Sequence, residues 1–394
     1  EDPLDSRDFK DALAAAAGLS PEELAPRLAK AREQASREQA GHLIQSTLKQ
    51  AGAKVSEGDL EEAETLMASG LEKLRTSRGI SAPEPYLLED LERDVLMTSE
   101  GLKTGYASLD QTIRIPQGAI TLVAGRPGHG KTTLLLNLLV NMLRQESLRD
   151  QAFCFFSYEE SKTALAVKLI MLMAGRVLNK DFNYNAHLNY LQEKRGTDRA
   201  IDEAIACYQE AASSGRLILS DERLSAEDLA SSIGAAGKQR ETGAVFVDYI
   251  QKIPVRQAAS QRYLDIQKAS GIILDQAVWS GIPIILGAQL RRPEKREDIA
   301  KAIRLDNLRE SGDLEQDANL VIGIQNATRD QADIEELEDP RPLKEKLRSA
   351  GAELIVTILK NRNGQQDQKA KLVFDKPVLK IKALDWSDSD QDGF

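Results

Sequence analysis

At 394 residues, with 41% apolar and 29% charged side chains, the chain is long enough for one large core and a smaller unit, and its composition is that of an ordinary soluble protein. No apolar run approaches the roughly 18 residues of a membrane span, no secretory leader pattern opens the sequence, and the two cysteines, Cys154 and Cys207, lack the spacing of a disulfide framework or a zinc site, so a reducing cytoplasm is expected. The net charge of −10 sits at the ends: residues 1–100 carry 21 acidic against 12 basic side chains and the last ten add four aspartates, which leaves 101–384 at +3 and keeps DNA open as a partner.

The chain opens on Glu1 rather than Met, as expected of a fragment or a processed product. Residues 1–80 are alanine-rich and read as a small helical region. Ser20-Pro21-Glu22-Glu23 is a capping box with Pro at the first helical position, predicting a helix to about Lys49. Gly52 and Ser56–Gly58 are expected to interrupt it, with a second helix from Asp59 towards Arg75. Residues 77–83, closed by Pro85, read as a connection. Leu87, Leu88, Leu91 and Leu96 then recur at helical spacing, so residues 81–97 are expected to form a linker helix whose apolar stripe packs on a neighbouring subunit.

From Leu102 the pattern becomes α/β, with a mainly parallel central sheet. Strands are predicted at Ala119–Ala124, Ala152–Ser157, Leu217–Ser220, Ala244–Ile250, Pro283–Ala288, Leu320–Ile324 and Glu353–Leu359. Several are apolar without alternation, as strands buried on both faces are. Lys371–Phe374 and Val378–Ile381 alternate and predict an antiparallel hairpin. The charged stretches Arg291–Asn307 and Arg329–Gly351 are expected to be mobile loops.

Gly125-Arg126-Pro127-Gly128-His129-Gly130-Lys131-Thr132, followed by Thr133, fits the phosphate-loop pattern GxxxxGK[ST] in full, between a predicted strand and a helix over Leu134–Leu143. Glycines let backbone N–H groups curl around phosphates, a lysine reaches the terminal phosphates of ATP, and a Thr132 hydroxyl can hold Mg²⁺. His129 reads as a loop filler. Asp248, at the end of an apolar strand, is the expected second ligand to Mg²⁺. Hydrolysis also needs a group that orients water. Glu159 and Glu160 follow the second strand, at the carboxyl edge where α/β sheets place ligands, and Gln289 ends another strand there.

Four blocks together resemble the helicase domain of DnaB-like replicative helicases. They are Thr104-Gly105-Tyr106 with Leu109-Asp110, then Val247-Asp248-Tyr249-Ile250-Gln251, then residues 308–318 from Leu308-Arg309-Glu310 to Asp317-Ala318, then Lys360-Asn361-Arg362-Asn363-Gly364. The resemblance covers residues 98–384 and implies a RecA-like ATPase domain in a homo-hexameric ring threaded by single-stranded DNA. It further implies Glu159 as the catalytic carboxylate and Gln289 as the phosphate sensor. Lys360 and Arg362 would reach a neighbour's nucleotide, Arg362 as an arginine finger. Arg309, Glu310 and Gly312 would lie in the loop that touches DNA.

Outside that span, Asp8–Leu13 is similar to the segment that trails the primase module of phage-type primase–helicases. Two alternative families share the phosphate loop: RadA-like recombination ATPases, which typically add a four-cysteine finger, and KaiC-like ATPases that bind protein and not DNA. The acidic stretch 385–394, with Trp386 and Phe394, reads either as a solubilising tail or as a dock for a polymerase or other replisome protein.

Overall fold

The structure is a computed structural model that describes residues 46–56, 62–67, 88, 101–176, 184–257, 259, 261–290, 302–305, 307–308, 314–330 and 352–383. It divides into two units, Glu1–Val95 and Leu96–Phe394. The capping box at Ser20, most of residues 81–97, the DNA-loop residues Arg309, Glu310 and Gly312, and the stretch 385–394 lie outside the described residues.

In the first unit, residues 46–56 and 62–67 are helical. The first helix runs through Gly52, where the sequence predicts a break. A Cβ at Gly52 would meet nothing within 4 Å, so this glycine costs only helix propensity, and a lone glycine does not stop a helix. Ala51 and Ala63 are buried, and Lys54 pairs with Glu62 at 3.1 Å across the two helices.

The second unit is built on a nine-stranded sheet. Its elements are α1 (Ala107–Asp110), β1 (Ile120–Gly125), α2 (Lys131–Leu143), β2 (Ala152–Ser157), α3 (Lys162–Ala174), α4 (Tyr184–Lys194), α5 (Arg199–Ser213), β3 (Leu217–Ser220), α6 (Ala226–Gln239), β4 (Thr242–Asp248), α7 (Arg262–Ser280), β5 (Ile284–Gln289), α8 (Leu314–Asp317), β6 (Ala318–Asn326), β7 (Ala352–Asn361), β8 (Lys369–Asp375) and β9 (Lys380–Ala383). The order is β3-β2-β4-β5-β1-β6-β7-β8-β9, parallel from β3 to β6 and antiparallel from β6 to β9. This is the α/β, mainly parallel sheet that the apolar runs predict.

Successive side chains of a strand point to opposite faces, and the two faces carry separate cores. Val123, Phe155, Phe246 and Ile285 pack with Leu135 and Leu139 of α2 and Leu165 of α3 on one side. Leu122, Phe156, Val247 and Leu286 pack with Ile233 of α6 and Ile273 of α7 on the other. Phe155 and Phe246 stack with centroids 6.1 Å apart. The terminal antiparallel strands are tied to α2 by Asn137, whose side chain donates to Leu379 O and accepts from Ile381 N–H, each at 2.9 Å.

Three further expectations are corrected. Strand β4 stops at Asp248, and Ile250 belongs to a 3₁₀ turn, Ile250–Lys252. Val378 likewise sits in a turn, Lys376–Val378, rather than in β9. Arg329 and Asp330, placed in a mobile loop by their charged surroundings, are helical, and Asp330 is buried.

Candidate ATP-hydrolysis site

Parallel pairing brings the carboxyl ends of four strands to one edge. Gly125 of β1 lies opposite Gln289 of β5, and Ser157 of β2 lies opposite Asp248 of β4. The chain leaves β1 at Gly125, where a Cβ would meet Ile324 Cγ2 at 2.6 Å, so no larger residue fits. It then turns through Gly128 at φ 77° and Gly130 at φ 94°, left-handed backbone that favours glycine. Helix α2 starts at Lys131 with no side-chain cap on its first N–H groups, an arrangement suited to an anion at the positive end of a helix.

Lys131 is buried, and its Nζ lies 3.4 Å from Arg126 O. Burial pushes its pKa down, while the nearby carboxylates of Asp248 and Glu159 act the other way. Thr132 Oγ1 donates to Asp248 Oδ2 at 2.5 Å. The other oxygen, Asp248 Oδ1, is buried without a hydrogen-bond partner among the described residues. Burial raises the pKa of this carboxyl, against the pull of Thr132 and Lys131. A hydroxyl and a carboxylate with a spare buried oxygen are hard donors of the kind Mg²⁺ takes beside substrate phosphates, so the residues present fit that ion.

The two adjacent glutamates are separated by their partners. Both backbone N–H groups donate to Ser157 Oγ, at 3.4 Å from Glu159 and 2.9 Å from Glu160. Both carboxylate oxygens of Glu160 accept from Lys168 Nζ at 2.5 Å, which fixes that side chain on α3. Glu159 is more exposed and has Lys252 Nζ at 3.6 Å, and its charge acts on both Lys131 and Asp248. Of the pair, Glu160 is the more tightly held and Glu159 the more exposed. Glu159→Gln is therefore expected to retain nucleotide binding and to lose turnover by at least about 10²-fold, whereas Glu160→Gln loses an ion pair and little activity. Phosphate release and fluorescent-nucleotide titration on both variants check this. The opposite ranking would reassign the role to Glu160.

Gln289 is held through its backbone by a residue whose role sequence reasoning missed. Gln251 Oε1 accepts from Gln289 N–H and Gln251 Nε2 donates to Gln289 O, both at 3.0 Å. Gln251 thereby fixes the strand end from which Gln289 projects. His129 is no loop filler: it is 1% exposed, accepts from Asn326 N–H at Nδ1 (3.1 Å), and brings Nε2 within 3.5 Å of Asp330. Arg126, from the same loop, pairs with Asp330 at 2.9 Å.

Lys360 and Arg362 lie at the other end of the sheet. Lys360 pairs in register with Val321, three residues short of the Ile324 that faces Gly125, about 10 Å away along the strand. Arg362 N–H reaches Asn319 O, about 16 Å away by the same measure. Their side chains donate to carbonyls around α8: Lys360 Nζ to Glu315 O, and Arg362 Nη2 to Gln316 O at 2.5 Å. Burial, and then the charge of Arg362, lowers the pKa of Lys360, as expected of two cations set side by side. The phosphate loop, Asp248, Glu159 and Gln289 thus converge on one edge, and the two bases do not join them within one chain.

A family model described as the DnaB-like helicase C terminal domain matches residues 101–383. Among curated relatives, the chain is 27% identical over 303 residues to the replicative DNA helicase DnaB of Mycoplasma genitalium, covering 75% of this chain and 58% of that protein. It is 26% identical over 259 residues to the DnaB of Helicobacter pylori J99, covering 65% of this chain and 50% of that one. The chain thus spans about half the length of the curated relatives it matches. Among solved structures, one described as a DnaB-like replicative helicase and its interactions with primase superposes with a TM-score of 0.64 at 19% identity, over 96% of this chain and 83% of that one. A second, described as an ATPase domain, gives 0.58 at 21% identity, over 76% and 97%. These two show the shared fold, and the family match covers the phosphate loop, the converging strand ends and the basic strand β7 alike. The chain belongs to the DnaB-like helicase C-terminal domain family.

Proposed function

We propose that this chain is the motor of a replicative DNA helicase, a homo-hexameric ring that hydrolyses ATP between subunits and travels on single-stranded DNA. The observation that carries this reading is the split of the hydrolytic groups between opposite ends of one sheet. A site with its phosphate loop at one end and its basic pair at the other is completed by a neighbouring copy, and head-to-tail contacts of that kind close into rings. The alternatives, RadA-like or KaiC-like, have less support, since the matching family model is neither.

In this reading Lys131 and the loop N–H groups hold the phosphates of ATP. Thr132 and Asp248 would hold Mg²⁺, which supplies charge neutralisation at the phosphates. Glu159 orients the attacking water and takes up its proton, Gln289 contacts the terminal phosphate, and a neighbour's Lys360 and Arg362 stabilise charge as the bond breaks. Arg309, Glu310 and Gly312 contact the DNA backbone from the segment just ahead of α8. Residues 81–97 form a linker helix on a neighbouring subunit, and the acidic stretch 385–394, with Trp386, docks a basic pocket on a polymerase or other replisome protein. A cytoplasmic setting suits the free thiols of Cys154 and Cys207. Among the described residues no helix is long and apolar enough to cross a membrane.

The test is a salt titration of binding to a labelled oligonucleotide in the presence of a non-hydrolysable ATP analogue. Affinity should fall linearly on logarithmic axes. Arg309→Ala should weaken binding and lessen the slope by about 0.7, the share of one phosphate that is no longer neutralised. Absence of any binding at low salt would favour a protein-directed ATPase.

A further inference from the structure

The phosphate loop is held from behind by a carboxylate far along the chain. Asp330, in the helical residues 327–330 after β6, places Oδ1 2.9 Å from Arg126 Nη1 and 3.5 Å from His129 Nε2. Its Oδ2 accepts from Gln325 Nε2 at 2.5 Å. Because His129 Nδ1 accepts the Asn326 N–H, the ring proton of the neutral imidazole belongs on Nε2, the nitrogen that faces Asp330. All three side chains are nearly sealed from solvent: Arg126 and Asp330 are 7% exposed and His129 is 1% exposed.

These contacts bracket Gly128, which has least stiffness of its own. Arg126 and His129 stand on either side of Pro127-Gly128, and a Cβ at Gly128 or at Gly130 would meet nothing within 4 Å. The glycines therefore permit the phosphate-binding arc without packing enforcing it, and glycine loses more freedom on ordering than any other residue. The ordering passes on to the phosphate lysine, since Arg126 O accepts from His129 N–H at 3.2 Å and lies 3.4 Å from Lys131 Nζ. An ordinary buried ion pair would only join two elements. Here one carboxylate oxygen faces both polar side chains of the loop ahead of Lys131.

We propose that Asp330 is a positioning residue for nucleotide binding, holding the loop in its phosphate-ready arc through Arg126 and His129. This rests on the reading of the loop as an ATP site. Asp330→Asn in the full chain keeps the shape of the side chain and removes the charge that pairs with Arg126 and faces His129. The dissociation constant of a fluorescent ATP analogue and the KM for ATP should both rise about tenfold, as for removal of a charge-assisted hydrogen bond, with kcat changing much less. The upward shift in melting temperature on adding ATP should shrink accordingly. A role confined to stability would lower the melting temperature of the free protein and leave ATP affinity untouched, and that result would overturn the proposal. If Asp330→Asn does not fold, Arg126→Gln decides, because it breaks the 2.9 Å pair from the loop side and leaves Asp330 in place: weaker ATP binding with kcat changing much less supports the proposal, and unchanged binding overturns it. An unsubstituted chain that fails to bind ATP would instead remove the nucleotide-site reading, and this proposal with it.

Discussion

Lys131→Ala is expected to abolish ATP hydrolysis, with at least about a 10³-fold loss in kcat, in line with the weight that fixed charge carries in phosphoryl transfer. Lys131 is the buried cation at the start of α2, and its charge is held against the cost of burial by Asp248 and Glu159. Removing it takes away the fixed positive charge at the terminal phosphates. It also strips Asp248 of a neighbour that favours its ionised form, so the carboxylate that would share Mg²⁺ with Thr132 becomes harder to keep charged. Both losses fall on the same centre of the chemistry. The check is phosphate release by the purified variant beside its melting curve. Turnover within tenfold of the parent, from a folded protein, would mean that hydrolysis does not run through this loop.

The central parallel strands were legible in the sequence because a strand covered on both faces is apolar at nearly every position, as in Ala152–Ser157, which is buried throughout; the edge strand Leu217–Ser220 also appears as predicted, although its Ile218 is exposed. Their ends were less legible. Ile250 continues the apolar run of β4, but it turns out of the sheet and still finds a buried place beside α6 and α7, so hydrophobicity alone could not mark the boundary. The phosphate loop and Asp248 were readable because each has a local signature. The difference in setting between Glu159 and Glu160 was not contained in their own neighbourhood; it comes from Lys168, on the next helix. Asp330 was hidden for a stronger reason. Its partner Arg126 lies 204 residues earlier, and a buried carboxylate inside a charged stretch has the same local composition as a solvated one. Gln251 was inside a family block, but its partners are backbone atoms of β5, which no side-chain pattern records.

The basic pair on β7 gives the prediction that separates a ring from a monomer. Within one chain Lys360 and Arg362 are occupied with carbonyls of residues 315 and 316, at the end of β6 remote from the phosphate loop. Two adjacent cations, one with its pKa lowered by burial and by the other, form a site that gains from an incoming anion. If that anion is ATP held by a neighbouring subunit, Arg362→Ala should lower kcat by about 10³–10⁵, the range for an arginine finger supplied in trans. The monomer's melting curve should barely move, since the side-chain hydrogen bonds of Arg362 among the described residues are exposed. The decisive measurement mixes two inactive variants. An Arg362→Ala subunit still offers an intact phosphate loop, and a Lys131→Ala subunit still offers an intact finger. In a head-to-tail ring assembled at random from equal parts, roughly a quarter of the interfaces bring the two intact halves together. ATPase activity should therefore reappear on mixing, rise towards equal proportions, and be absent from either variant alone. With subunit exchange verified by labelled subunits, a mixture that stays inactive at every ratio would place Arg362 outside the reacting site and leave the pair as an internal brace for α8.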